Sequence, residues 1–519
     1  MRQPFTQPLV ILAALFTTSQ SAALPRADQA SCRKTKVAIL GAGVAGIAAA
    51  QNLTSVNITD FLIVENNDYI GGRLRKHAFG KNSTGQPYTV EFGANWVEGI
   101  GSEKTHENPI WELAVKYNLS THETDWESFK TFDENGIANW TSKIRKLEEI
   151  LEEAESYAGR LMLDNLQDTS VRAALRTAGW RPATNDTHAH AAEWWKWDFE
   201  SAWTPDQSGL QFGVAGGNAT FGYFSNVSRL VIDQRGFSTF IQEEAKTFLK
   251  ESDSRLMLKT TVKSIDYSKE GVNISTADGG CIQADYAICT FSLGVLQNDA
   301  VAFNKPHGLP AWKQSAIDQF AMGTYTKIFM QFNESFWDNK TQIFLYADPL
   351  ERGYYPLFQS LNAEGFVPGS NILFATVTGD QAWRVERQTD EETEKQILEV
   401  LRRMFPDKVI HKPTAFSYPR WSTEPNWPVG MTLEKHQNMR ANVERLWFAG
   451  EANSAEFFGF LHGAYTEGRE IGHRIGAIIN GKAGDDEFDM ERYEHLHGTT
   501  FEDKYNKENG WLFPYNVEE

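Results

Sequence analysis

The sequence predicts an α/β protein of more than one domain. Three observations carry this. An apolar run, Val37-Ala38-Ile39-Leu40, leads directly into Gly41-Ala42-Gly43-Val44-Ala45-Gly46, and a helix-compatible stretch from Ile47 to Leu53 follows. A second apolar run, Phe61-Leu62-Ile63-Val64, ends at Glu65, 24 residues after Gly41. Finally, 519 residues exceed what one ordinary core accommodates. Strand, Gly-x-Gly-x-x-Gly and helix in that order form the Rossmann-like dinucleotide fingerprint in its proper context, which is far more specific than three glycines alone.

Each part of the first unit has a physical task. Gly41 permits the tight turn, Gly43 leaves room for a pyrophosphate against the backbone, and Gly46 lets helix and strand pack closely. The helix N-terminus then offers free N–H groups to phosphate charge. Glu65 stands where an acid accepts hydrogen bonds from an adenosine ribose and repels a 2′-phosphate, favouring FAD or NAD over NADP. Tyr69-Ile70-Gly71-Gly72-Arg73 follows, and a plain NAD domain has no such segment.

Later elements follow in order. Asn108 to Tyr117 reads as a helix, and Ser142 to Leu163 has apolar residues at helical spacing among charges, as in an amphipathic surface helix. Ala191 to Trp203 is rich in aromatics that suit a core or a cleft wall. Asp233-Gln234-Arg235-Gly236-Phe237 opens a further helix. Leu256 to Val262, Gly271 to Thr276 and Ala284 to Thr290 read as strands, and the alternating Tyr325 to Phe332 reads as a strand of a second domain. Asp390 to Met404 reads as a charged helix. Leu446 to Glu451 is a final strand and turn, and a helix runs from about Gly463 to Ile479. Residues 484–519 form an acidic tail.

Composition bounds the function. The net charge of −18 disfavours nucleic acid and anionic membranes and suits a cationic substrate. The twelve histidines show no metal-ligand spacing. Of three cysteines, at most one bridge can form, and Cys289 in an apolar run reads as a buried thiol. Residues 1–23 read as a secretory signal, with Arg2, an apolar core from Leu9 to Phe16 and small residues to Ala23, too short to span a bilayer comfortably. Eleven Asn-x-Ser/Thr sequons support export, at Asn52, Asn57, Asn82, Asn118, Asn139, Asn185, Asn218, Asn226, Asn273, Asn333 and Asn339.

The fingerprint, Gly71-Gly72-Arg73, Gly93-Ala94-Asn95-Trp96-Val97-Glu98-Gly99 and the terminal Gly450-Glu451 together resemble flavin-containing polyamine oxidases, most of all the plant extracellular type. The resemblance runs from about Lys36 to Gly481. It extends to Asp233–Gly236, Ser292–Gln297, Tyr325–Phe329, Asn426–Gly430 and His462–Tyr465. It implies an FAD-binding domain assembled from 36–120, 229–318 and 426–483. It also implies an α+β substrate domain, a mixed sheet flanked by helices, from 121–228 and 319–425. The FAD would be non-covalent, because Ala452 to His462 holds no cysteine. Gly41, Gly43, Gly46, Glu65, Arg73, Trp96, the Val262 backbone and Glu451 would contact it.

By the same resemblance Glu98 is the carboxylate close to the flavin, and Glu200 is a second acid lining a substrate tunnel. Lys327 holds a water against the flavin, Tyr325 is an active-site tyrosine on the same strand face, and Trp421 is an aromatic near the flavin. Phe460 stands where the family's aromatic sandwich has a tyrosine, and the segment between Trp421 and Asn426 is shorter, leaving the other sandwich aromatic unassigned. An amine must be neutral at the nitrogen that reacts, whereas the other nitrogens of a polyamine stay cationic and need fixed carboxylates. The expectation is a secreted oxidase, monomeric or weakly oligomeric. It would convert a secondary amine of spermine or spermidine to an imine, with O2 reduced to H2O2. The alternatives are an L-amino acid oxidase, a specialised-metabolite amine oxidase, or a flavin-binding protein without turnover. An amino acid oxidase needs an arginine clamp for the substrate carboxylate, and two acids fit a cation better.

Overall fold

The computed structural model describes residues 32–164, 166–298, 300–304, 307–320, 322–421, 433–484 and 490–493. The expected signal, the Asn426–Gly430 segment and most of the 484–519 tail lie outside the described residues.

The first sheet has eight strands. Arg33–Leu40 lies at its centre, parallel to Phe61–Val64 on one side and to Cys281–Cys289 on the other. Leu256–Met257 extends the parallel set at one edge, and Leu446–Phe448 pairs parallel with the end of Cys281–Cys289. Val272–Thr276 and Val262–Tyr267 add an antiparallel pair. Val37, Ala38, Ile39 and Leu40 are all buried, which is why this strand reads as a continuous apolar run: both faces of the sheet are covered. Helix Val44–Ser55 packs against helix Leu461–Ile479 at backbone distance. A Cβ on Gly468 would lie 2.1 Å from the Ala45 carbonyl oxygen, so only glycine permits this approach. A Cys32–Cys281 disulfide ties the start of the first strand to its neighbour, and Cys289 is the buried free thiol.

Two local expectations are corrected. The run Leu256 to Val262 is not one strand: the chain turns at Lys259, whose φ is +52°, and Val262–Tyr267 begins a separate antiparallel strand. The backbone N–H groups of Lys259 and Thr260 bond the carbonyls of Asn67 and Glu65 instead of continuing a ladder. The helix after Asp233 starts only at Thr239, because the Asp233 carboxylate accepts from the N–H groups of Ser120 and Arg235 and holds a turn there.

The second sheet has seven strands, in the order Ala415–Ser417, Tyr325–Gln331, Ile372–Thr378, Leu357–Ser360, Ile343–Tyr346, Phe129–Asp133, Gly136–Ile137. It is mixed: Ile343–Tyr346 and Phe129–Asp133 are parallel and the other neighbours antiparallel. Helix Thr141–Leu163 buries Ile144, Leu147, Ile150, Ala154, Ala158 and Leu161, the stripe its sequence predicts. Helix Asp390–Met404 opens on a Thr389/Glu392 capping box and buries Ile397, Leu401 and Met404.

Between the sheets runs a three-stranded ribbon of Trp96–Val97, Arg229–Val231 and Thr121–Glu123. A boundary at residue 120 therefore runs through a ribbon and not through a linker. The ribbon sets Trp96, and Glu98 just beyond it, between the two sheets. The aromatic-rich segment forms a π-helical turn, Trp194–Asp198, then a short α turn, Phe199–Ser201, which ends at Ala202 in the left-handed region with φ +61°.

Candidate active site

The C-terminal ends of the parallel strands form the first half of the site, the position at which open α/β sheets bind ligands. Gly41 has φ +116°, and a Cβ there would lie 2.4 Å from Thr290 Oγ1. A Cβ on Gly46 would lie 2.1 Å from the Gly41 carbonyl oxygen. Gly43 differs: it caps the helix Val44–Ser55 with no side-chain hydrogen bond, and a Cβ there would meet nothing within 4 Å. The open space lies in front of a helix N-terminus, where backbone N–H groups suit a pyrophosphate. Gly71 and Gly72 close its other wall, with the Gly71 N–H bonded to the Ala42 carbonyl at 2.8 Å.

Arg73 pairs with Glu451, which follows the strand Leu446–Phe448 and the turn at Gly450. The Arg73 side chain is exposed, and the Glu451 charge keeps its guanidinium above its ordinary value. Burial works against ionisation of Glu451, but the Arg73 charge and hydrogen bond outweigh it and hold the carboxyl below the usual range. The Glu65 carboxylate accepts from the Ala42 N–H at 2.8 Å and from the Asn67 N–H and side-chain amide at 2.7 Å each. The turn bonded to Glu65 leads into Val262. This set fits a dinucleotide carrying a pyrophosphate and a ribose.

The second half lies where the ribbon meets the strand Tyr325–Gln331. Lys327 is 4 % exposed and donates to the Gly93 carbonyl at 2.5 Å and to Asn95 Oδ1 at 2.6 Å. Its ammonium lies 5.5 Å above the Trp96 ring, whose Nε1 donates to Thr124 Oγ1. Burial pulls Lys327 down to about 7, with the charges of Glu91 and Glu98 partly offsetting it. Burial pushes Glu98 up to about 8; the charge of Glu200 adds to this and that of Lys327 opposes it. The surrounding protein also raises Glu200, although its side chain is accessible to water. Tyr325 is held well above its ordinary value by burial and by both glutamates. The structure thus brings Glu98, Glu200, Tyr325 and Lys327 close enough for their charges to act on one another, from three distant stretches of chain.

The aromatic members also converge. The Phe460 ring stacks on His462 with centroids 5.2 Å apart. Asn108 Nδ2 lies 3.3 Å from His462 Nδ1 and donates to the Glu98 carbonyl at 2.9 Å. Trp421 joins the apolar cluster that includes Trp96, under the Arg75 guanidinium. Phe199 packs on Tyr325 with centroids 6.0 Å apart.

Sequence reasoning assigned no role to Asn95, Glu91, Asn108 or His462. Glu91 ends the strand Tyr88–Glu91, and after a bend at Phe92 and Gly93 the Gly93 carbonyl and the Asn95 side chain bond Lys327, with the Glu91 charge acting on it as well. Burial pushes Glu91 up to about 7, against the Phe237 N–H and the Lys327 charge. Burial likewise takes His462 down to about 3, so its ring is neutral; it bridges segments distant in sequence, which no local pattern signals.

Comparison with known proteins gives the same picture. A family model described as flavin containing amine oxidoreductase matches residues 44–475. Polyamine oxidase 1 of Zea mays is 36 % identical over 457 residues, covering 83 % of this chain and 88 % of that protein. Polyamine oxidase 7 of Oryza sativa subsp. japonica is 34 % identical over 492 residues, covering 90 % and 99 %. Among solved structures, wild-type putrescine oxidase bound to putrescine matches with a TM-score of 0.65 at 16 % identity, covering 87 % of this chain and all of that one. At that identity the likeness speaks for the fold.

Proposed function

The chain belongs to the family of flavin containing amine oxidoreductases and is an FAD-dependent amine oxidase, and on that premise we propose that its substrates are polyamines. The observation that carries the proposal is that Glu98 and Glu200 act on each other and on Tyr325, with Lys327 acting on Glu98, at the junction of the ribbon and the strand Tyr325–Gln331. Burial and the repulsion of Glu200 raise Glu98 to about 8, so this carboxyl keeps its proton near neutral pH. One acid is then ionised to hold a distal ammonium, and the other is neutral and leaves the reacting nitrogen free to lose its proton. A substrate carrying a carboxylate would meet like charge here, which disfavours amino acids.

FAD held by the Gly43 helix N-terminus, Glu65, Arg73 and Glu451 would supply the two-electron acceptor for the carbon beside the nitrogen, with O2 as the final oxidant. The chain's own groups orient the amine and exclude water. Lys327, fixed by Gly93 and Asn95 and pulled down to about 7, keeps one N–H free to give or receive a proton near neutral pH. Hydrolysis of the imine completes the balance: one secondary amine, one O2 and one water give one aldehyde, one primary amine and one hydrogen peroxide. Spermine and spermidine are the proposed substrates. A peroxide assay over spermine, spermidine, their N-acetyl forms, putrescine and L-amino acids tests this. Peroxide with the polyamines supports it, and peroxide with amino acids alone overturns it.

We also propose that the protein is exported. The reading of residues 1–23, the Cys32–Cys281 bridge and sequons on exposed asparagines such as Asn57, Asn118, Asn139, Asn185, Asn226, Asn273, Asn333 and Asn339 support it. An intracellular, unglycosylated product beginning at Met1 would contradict it. The check is mass spectrometry before and after glycosidase treatment.

A further inference from the structure

We infer that Arg352 is a positioning residue that aims Glu200 into the cavity from the opposite side of the π-helical turn. The inference rests on the reading of Glu200 as a substrate-holding acid.

Arg352 lies on the loop between strands Ile343–Tyr346 and Leu357–Ser360. Its guanidinium grips Asp198 with both terminal nitrogens, one at 2.7 Å, and one of these also reaches Glu193 Oε1 at 3.0 Å. Glu193 accepts from both terminal nitrogens of Arg172 and from Trp180 Nε1 at 3.0 Å. Glu193 is fully buried and Asp198 is 3 % exposed. The loop is fitted to the turn it grips: Gly353 has φ +76°, and a Cβ there would lie 3.1 Å from Trp194 Cδ1.

The geometry transmits orientation. Successive helical residues are rotated by about 100°, so residues two apart face nearly opposite ways. Asp198, buried and pinned to Arg352 on one side of the turn, leaves Glu200 on the opposite, solvent-accessible side, and Ala202 in the left-handed region ends the turn. A π-helical turn is a rare register, found mostly as a single turn within α-helices and frequently at functional sites. A buried ion network contributes little net stability, and its use here is to select one arrangement of the turn through the two terminal nitrogens of Arg352, whose Nε stays unpaired. Without the bidentate grip, a slip of one residue would rotate Glu200 out of the cavity.

The test is a double-mutant cycle on the holoenzyme with Arg352→Lys and Glu200→Gln, reading KM and kcat for spermidine and the flavin spectrum. Lysine keeps the charge and loses the fork. The expected result is a KM raised about tenfold in R352K, with kcat and spectrum little changed and no further rise when R352K is added to E200Q. If R352K does not fold, the neutral pair Arg352→Gln with Asp198→Asn replaces it in the same cycle. Equal effects of the Arg352 change with and without E200Q would overturn the positioning role alone. An E200Q enzyme with unaltered KM would instead overturn the reading of Glu200 itself, and the positioning role with it.

Discussion

The glycine-lined cleft at Gly41–Gly46 and the site of Glu98, Glu200 and Lys327 treat charge in opposite ways. In the cleft, charges are kept. Arg73 pairs with Glu451, whose carboxyl lies below the usual range, and Glu65 takes three hydrogen bonds from Ala42 and Asn67. In the cavity, charges are suppressed: burial takes Glu98 up to about 8 and Lys327 down to about 7. The cleft must hold a permanently charged pyrophosphate, so fixed complementary charge is useful. The cavity must let an amine lose its proton, so its groups sit near the point of exchange.

Several changes break or sharpen this contrast. The largest effect belongs to Lys327→Met, which removes the exchangeable proton and leaves Gly93 and Asn95 without their donor. Turnover is expected to fall about 10²–10⁴-fold, with flavin content unchanged, as read by stopped-flow reduction and reoxidation. Glu451→Gln acts on the other region. Loss of the charged partner of Arg73 is expected to weaken FAD retention about 10–100-fold, with little effect on the turnover of molecules that still hold FAD. Equilibrium dialysis against FAD measures it.

Two glycines separate cofactor binding from folding within the cleft. Gly43→Ala meets open space and is expected to weaken FAD binding while the FAD-free protein melts as before. Gly46→Ala, with its Cβ against the Gly41 carbonyl, is expected to cost about 1–3 kcal/mol or more of stability. Paired thermal melts of the FAD-free proteins decide it.

The smallest effect is the most diagnostic. The folded chain holds the Glu98 proton from about 4.5 up to about 8, whereas the unfolded chain releases it near 4.5. Wild-type stability from this group is therefore present at low pH and lost as pH rises through that window. Glu98→Gln escapes the loss, so its Tm is expected to exceed the wild-type value by a margin that grows from pH 5 to pH 8. Glu451, held low, has the reverse sign: its contribution is present above its unfolded pKa and is lost as pH falls. The Tm deficit of Glu451→Gln should then shrink on acidification. Melts of both variants across pH showing the same sign would contradict the contrast between the two regions.

The two regions also differ in how far the sequence reveals them. The cleft rests on three glycines at fixed spacing along one short segment, Gly41 for its positive φ, Gly46 for its close approach to the Gly41 carbonyl and Gly43 for the open space before the helix, so they are legible in the sequence itself. The cavity is made of side chains from separate stretches: Glu98, Glu200 and Lys327 are legible through family resemblance and not through local pattern. The π-helical turn under Glu200 has no propensity signal, and the Arg352 grip on it spans segments far apart in the chain. Cysteine count alone leaves the bridge open; the register that sets Arg33 opposite Ile282 brings Cys32 to Cys281. The strand expected over Leu256–Val262 fails because the turn at Lys259 is held by the loop after Glu65, a partner invisible in a local window.

The most direct test of the account is anaerobic mixing of the purified holoenzyme with spermidine, and separately with L-amino acids, while the flavin absorbance is followed. A cavity of two coupled carboxyls around a neutral nitrogen predicts rapid bleaching by spermidine and none by amino acids. Bleaching by amino acids with no response to spermidine would contradict it.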